Sequence, residues 1–159
     1  MISASVSETI QFYHLDPMNV VWHGNYVQFF ENARCALLDQ IDYNYPQMDA
    51  SGYVWPVVDM RVKYVRPCTF GQNITITATL REYENRLKID YLISDTKTGQ
   101  KLTKGFTIQV AVEKSSGEML YRSPISSSQR WRPLFDPDPP PDRIRRPADC
   151  QHDRHRTGG

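Results

Sequence analysis

Residues 13–26, YHLDPMNVVWHGNY, bring a carboxylate, two histidines and two tyrosines into one short stretch. A positioned carboxylate can act as a general base for water or as a nucleophile toward an acyl carbon. Pro17 biases Asp16 toward an extended backbone, which puts Asp16 on a turn leaving a first strand, and loops held by rigid elements commonly carry reactive groups. Taken alone, an aspartate before proline is also an ordinary turn or capping carboxylate. His23 could satisfy backbone groups at a helix entry, or orient Asp16 or a substrate carbonyl. Tyr13 reads as strand packing with its hydroxyl near the site. Trp22 and Tyr26 flank the helix start, either as packing or as the wall of an acyl or aryl pocket. His14, next to Tyr13, would point to the opposite face of an extended strand and is left out of the candidate site.

Other chemistries lack their residues. Cys35 sits inside a helical pattern without a histidine and acid to activate it. Ser126-Ser127-Ser128 has no G-x-S-x-G turn, and the chain carries neither a glycine-rich phosphate loop nor an H-E-x-x-H helix. Cys35, Cys68 and Cys150 are odd in number and far apart, which predicts a reducing compartment and not a disulfide framework. The formal charge of +1 gives no global field for nucleic acid or an anionic membrane. No secretory leader and no run of about 18 apolar residues is visible. A soluble cytoplasmic protein without a membrane span is expected.

At 159 residues, 40% hydrophobic and 23% charged, one globular core is expected. Seven of the eleven prolines lie beyond residue 123. The expected division is therefore a folded domain over residues 1–123 and a Pro/Arg-rich, disordered tail over 124–159, too poor in apolar residues to offset its ordering entropy. Cys150, His152 and His155 read as part of that solvated tail, not as a metal cluster.

Within the domain, a helix is predicted from Tyr26 to Ile41, with Asn25 and Gln28 spaced as a capping box. Its apolar stripe is Val27, Phe30, Leu37, Leu38 and Ile41. Strands are predicted over Thr9–Tyr13, Val54–Val65, Ile74–Leu80, Leu87–Ile93 and Lys104–Glu113, the third from strict alternation of Ile74, Ile76, Ala78 and Leu80 with threonines. One long helix among strands separated by short turns implies an α+β fold, an antiparallel sheet packed on a single helix.

Tyr13, Asp16, Val20-Val21-Trp22-His23 and Asn25-Tyr26 resemble the N-terminal motif of the 4-hydroxybenzoyl-CoA thioesterase and YbgC-like acyl-CoA thioesterase families. Phe29-Phe30-Glu31-x-Ala33-Arg34, Tyr64-x-x-Pro67 and Phe70-Gly71 extend the similarity over residues 5–122. The resemblance implies a hotdog fold, a sheet wrapped around one long helix, with protomers paired as a homodimer or homotetramer. It implies hydrolysis of acyl-CoA or acyl-carrier-protein thioesters, without metal or redox cofactor, coenzyme A being part of the substrate. It places catalysis on Asp16 and a backbone N–H at His23 against the thioester carbonyl. Asn19 departs from the family's usual glycine, a change that asparagine's tolerance of left-handed angles permits. Arg61 and Lys63 share a strand face and could meet coenzyme A phosphates, or serve as surface charge. Asp59 is either a second acid or a plain strand residue. The rival functions are a hotdog hydratase or dehydratase and a non-catalytic acyl-thioester-binding protein.

Overall fold

The alternation over residues 74–80 does become a strand, and it sits near the middle of the structure. The computed structural model describes residues 2–124. The elements run β1 (Ser3–Thr9), a 3-10 turn (Phe12–His14), α1 (Asn25–Gln40), α2 (Tyr45–Ala50), β2 (Tyr53–Val54), β3 (Val57–Tyr64), β4 (Asn73–Glu82), β5 (Leu87–Asp95), β6 (Lys101–Gln109) and β7 (Val112–Glu113). Five strands form one sheet in the order β1-β4-β5-β6-β3, every neighbouring pair antiparallel. β2 and β7 pair separately.

One face of the sheet is apolar because the side-chain period of a strand is two. Ile74, Ile76, Ala78 and Leu80 of β4 and Leu87, Ile89, Tyr91 and Ile93 of β5 are all buried against α1. Each large aliphatic side chain so buried contributes about 1.5–3 kcal/mol relative to exposure. The helix answers with Tyr26, Phe29, Phe30, Ala33, Leu37 and Leu38, and Phe30 stacks on Tyr91 with ring centroids 4.4 Å apart. This is the expected α+β arrangement of an antiparallel sheet on one long helix.

Several boundaries differ from the expectation, each for a local reason. Val27 is not in the stripe and is 38% exposed, because the buried face runs through Tyr26, Phe30, Ala33 and Leu37. Asn25 does not cap: the N-cap is Gly24, without a side-chain hydrogen bond, and Asn25 lies inside the helix. The first strand precedes Thr9 instead of following it. Its Ser3, Ser5 and Ser7 oppose Thr79, Thr77 and Thr75, so hydroxyl pairs replace the β-branched residues that usually mark a strand. The segment Val54–Val65 breaks at Trp55-Pro56, since proline has no N–H for a ladder and Trp55 turns into the core. The last expected strand is divided between β6 and β7. The short helix α2 was not anticipated; a capping box of Asn44 and Gln47 starts it.

The tail at 124–159 lies, apart from Pro124, outside the described residues. Among those described, no helix is long and apolar enough to cross a membrane.

Gly105 is where β6 passes beneath Phe30. A Cβ there would stand 2.2 Å from the Arg61 carbonyl oxygen and 3.0 Å from the Phe30 ring, and the first of these is backbone that cannot rotate away. Gly105→Ala should therefore cost about 1–3 kcal/mol, typical of overpacking. The expected result is a lower urea midpoint at unchanged slope; an unchanged midpoint would mean that β3 yields freely.

Candidate active site

The segment that holds Asp16 and His23 folds because its backbone has few alternatives. The chain leaves β1 through Ile10, which is almost fully buried, and makes one 3-10 turn over Phe12–His14. The Gln11 N–H donates to His14 Nδ1 at 2.8 Å, fixing the ring indoors beside Phe29. A turn of period three, not a strand of period two, thus decides which way these side chains face. His14 is buried and Tyr13 is 76% exposed, opposite to the assignment that alternation suggests.

The His14 carbonyl then accepts two hydrogen bonds, from the Trp22 N–H at 2.9 Å and from Asn25 Nδ2 at 2.8 Å. These bonds close residues 14–25 into a loop whose ends meet at the start of α1. Inside it Asp16 and Val20 are joined by the Asp16 N–H to Val20 carbonyl bond, 2.9 Å, and the Asn19 N–H donates back to the Asp16 carbonyl at 3.0 Å. Asn19 takes the left-handed conformation, φ 62°, that so tight a return requires. The half-buried Asp16 accepts the Met18 N–H on Oδ1 at 2.8 Å. Its Oδ2 has no hydrogen-bond partner among the described residues.

The loop is anchored from below. The Val21 N–H donates to the Cys68 carbonyl, and the Cys68 N–H donates to the Tyr26 hydroxyl at 3.4 Å. The Tyr64 hydroxyl donates to the His23 carbonyl at 2.8 Å. Burial pushes the Tyr26 and Tyr64 phenols and the Cys68 thiol upward from their ordinary values, so all three stay protonated at neutral pH. They act as struts and hydrogen-bond partners. The His23 and Gly24 N–H groups, in contrast, donate to nothing among the described residues and lie at the positive end of α1, a suitable place for a developing oxyanion. Trp22 packs on Gly24, and a Cβ there would meet the Trp22 ring at 2.4 Å, so a larger residue would have to displace that ring.

The sequence-predicted residues therefore divide into three groups. Asp16 and His23 lie on the one closed loop, with the His23 side chain exposed. Trp22 is exposed on the same loop and Tyr13 just before it, while Tyr26 lies in the core at 2% exposure. Arg61 and Lys63 share a face, but it is the face of the sheet turned away from α1. Asp59 is exposed on the same edge strand, and Cys35 is a free cysteine within α1. Sequence reasoning missed His14 and Asn25 as organisers of the loop. The usable signal was Gln11 three residues before His14, a spacing suited to reciprocal hydrogen bonds at a helical turn. Among the described residues no group of three His, Cys, Asp or Glu side chains could hold a metal ion.

Comparison with known proteins supplies a context for this loop. The family described as the thioesterase-like superfamily matches residues 10–147. A protein of Synechocystis sp. provisionally named an esterase is 30% identical over 116 residues, which are 72% of this chain and 70% of that one. A Bacillus subtilis protein provisionally named an acyl-CoA thioesterase is 24% identical over 107 residues, 67% of this chain and 78% of that one. Among solved structures, an aspartate-to-asparagine mutant of 4-hydroxybenzoyl CoA thioesterase complexed with 4-hydroxybenzoyl CoA superposes with a TM-score of 0.68. It is 18% identical and covers 78% of this chain and 94% of its own. That similarity establishes the hotdog architecture.

The left-handed Asn19 is the most exacting position in the loop. Asn19→Gly should keep stability and activity, whereas Asn19→Val should lose about 1–2 kcal/mol and activity with it. Thermal melting of both variants checks this, and equal melting would show that the loop returns by another conformation.

Proposed function

This chain belongs to the thioesterase-like superfamily, and from that premise we propose that it hydrolyses acyl-CoA thioesters with the Asp16 carboxylate as its acting group. The observation that carries the assignment of Asp16 is its geometry. One carboxylate oxygen is fixed by the Met18 N–H, and the other has no partner on a loop that ends at free amides of a helix start. A thioester carbonyl lodged against the His23 and Gly24 N–H groups would gain charge as an oxygen adds to its carbon. Asp16 then supplies the electron pair, either by taking a proton from the attacking water or by attacking the carbon itself. In both routes the new C–O bond replaces the C–S bond and the thiol leaves with a proton, giving free acid and coenzyme A. Coenzyme A enters as part of the substrate, and the steps call for no metal or redox group. A single turnover in heavy-oxygen water separates the routes, because only direct attack first places the light carboxylate oxygen in the product.

Two faces of the fold support a homodimer or a higher homo-oligomer. Among the described residues strand β3 pairs only with β6 and presents Val57, Val58, Met60 and Tyr64, each more than 40% exposed, along an open sheet edge. The opposite edge, β1, is protected by serines, threonine and glutamate. An open edge that carries this much exposed apolar surface between its charged residues Asp59, Arg61 and Lys63 can pair with a second copy of itself about a two-fold axis. On and around the Asp16 loop, Phe12, Tyr13, Met18, Trp22 and Phe70 are exposed as well, a collar of large apolar side chains of the kind that marks interaction sites. In the proposed dimer this collar becomes the wall of a site completed across the subunit boundary, with Tyr13 and Trp22 toward the acyl group. Tyr26 holds the loop from beneath, and the exposed His23 side chain lies at the mouth. Two free cysteines among the described residues suit a reducing, cytoplasmic setting.

Asp16→Asn should lower thiol release from a panel of acyl-CoAs by about 10²-fold or more with the melting temperature retained. Near-wild-type release would remove Asp16 from the chemistry. Val58→Arg should convert the assembly to monomer in sedimentation and reduce thiol release together, whereas a fully active monomer would contradict the shared site.

A further inference from the structure

The two amides without partners at the start of α1 belong to peptide units whose carbonyl ends are held. The Trp22 carbonyl, on the same peptide as the His23 N–H, accepts the Asn25 N–H at 2.9 Å. The His23 carbonyl, on the same peptide as the Gly24 N–H, accepts the Tyr64 hydroxyl at 2.8 Å. The first of these bonds is made within the helix entry itself. The second spans 41 residues to the end of β3, and nothing in turning a chain into a helix calls for it. Gly24 has helical backbone angles, φ −73° and ψ −21°, so its peptide adds to the aligned dipoles of α1.

Tyr64 is placed to hold its bond in one geometry. Its strand is anchored just beyond it, where the Val65 and Arg66 N–H groups both donate to the Leu102 carbonyl, at 3.0 and 2.9 Å. Its ring meets the buried Tyr26 ring edge-on, with centroids 5.0 Å apart and planes at 79°. The residue is 49% exposed, yet its hydroxyl goes to a backbone oxygen. We propose that Tyr64 is a positioning residue of the reaction: by donating to the His23 carbonyl it fixes and polarises the His23–Gly24 peptide, whose N–H meets the thioester oxygen as charge develops there. The inference rests on the thioesterase reading above and adds a residue that acts through another.

Two physical effects follow from that bond. A hydrogen bond to a peptide oxygen draws electron density from the nitrogen, and linked bonds of this kind strengthen one another by about 10–30% each. The bond also sets the plane of the peptide, so the Gly24 N–H is aimed before a carbonyl arrives, and donors aimed in advance are the ones that lower a barrier. A water in place of the hydroxyl would satisfy the His23 oxygen without holding that plane, because it is not tied to β3. Charge on the thioester oxygen is greatest in the transition state, so the effect belongs to kcat and not to KM. Tyr64 also stands on the open edge of β3, where a second copy paired alongside would shield the bond from water and strengthen it.

The test uses Tyr64→Phe and, at the same position, replacement by 3-fluorotyrosine, a phenol of nearly the same shape and a stronger donor. Both are assayed for thiol release on the acyl-CoA panel. Each is also bound to a ketone analogue of the preferred acyl-CoA, with methylene in place of sulfur and a carbon-13 carbonyl, and the carbonyl band is read by difference infrared spectroscopy. Tyr64→Phe should lower kcat by about tenfold with KM within about twofold, less than the roughly 10²–10³-fold loss of a whole oxyanion donor. Its bound carbonyl band should move to higher wavenumber, and the fluorotyrosine band to lower wavenumber with kcat retained. Melting temperature and sedimentation should match wild type. A rise in KM at retained kcat would make Tyr64 a substrate contact, and bands unmoved in both variants would reduce it to packing at the end of β3. Either result overturns the proposal, and the fluorotyrosine band decides alone if Tyr64→Phe folds poorly. If wild type releases no thiol from any acyl-CoA, the thioesterase reading fails and this inference with it; thiol release with unmoved bands ends the inference alone.

Discussion

The double hydrogen bond to the His14 carbonyl is the constraint on which the chemical part of the molecule depends. It ties the end of the 3-10 turn to both the Trp22 backbone and the Asn25 side chain, and so brings the Asp16 turn alongside the first residues of α1. Without it the loop would carry several unpaired backbone groups near the core, each costly to leave unsatisfied. The donors that remain without a partner among the described residues, at His23 and Gly24, are the ones the proposed mechanism offers to the thioester carbonyl.

This arrangement rests on a helix that is closely packed against the sheet. Phe29, Phe30, Ala33 and Leu37 are locked against β4 and β5, and close packing transmits any displacement of α1 into the sheet. Tyr26 and Cys68 extend the same buried layer under the loop. Their raised pKa values follow from burial and keep them neutral, which suits a supporting role.

Exposure follows the opposite logic. The exposed large apolar residues lie chiefly along β3 and around Asp16, while the far edge at β1 is polar. A single protomer thus covers the apolar face of its helix and leaves the loop around Asp16 covered on one side only. The outer face of the sheet, where Arg61 and Lys63 stand, is a separate surface set by cross-strand register and not by net charge.

The central alternation in β4, the long amphipathic α1 and the concentration of reactive groups in residues 13–26 were legible because each rests on local period or composition. At Asp16 the local residues show only a carboxylate before proline, and it is the resemblance to the thioesterase motif that singled it out; the same resemblance, with its glycine at position 19, raised the left-handed demand that Asn19 meets at φ 62°. The strand β1 was hidden because its partners, the threonines of β4, lie some seventy residues away, and serine has no strong strand preference of its own. Val27 and His14 were misplaced because a one-residue change in helical phase, or a 3-10 turn in place of a strand, reverses which side chains face inward. Only the tertiary structure decided that Arg61 and Lys63 stand on the face away from the reactive loop. The sequence by itself determined the elements and the reactive types; the packing of α1 on the sheet decided their sides, because side-chain direction depends on backbone phase and on which face is removed from water.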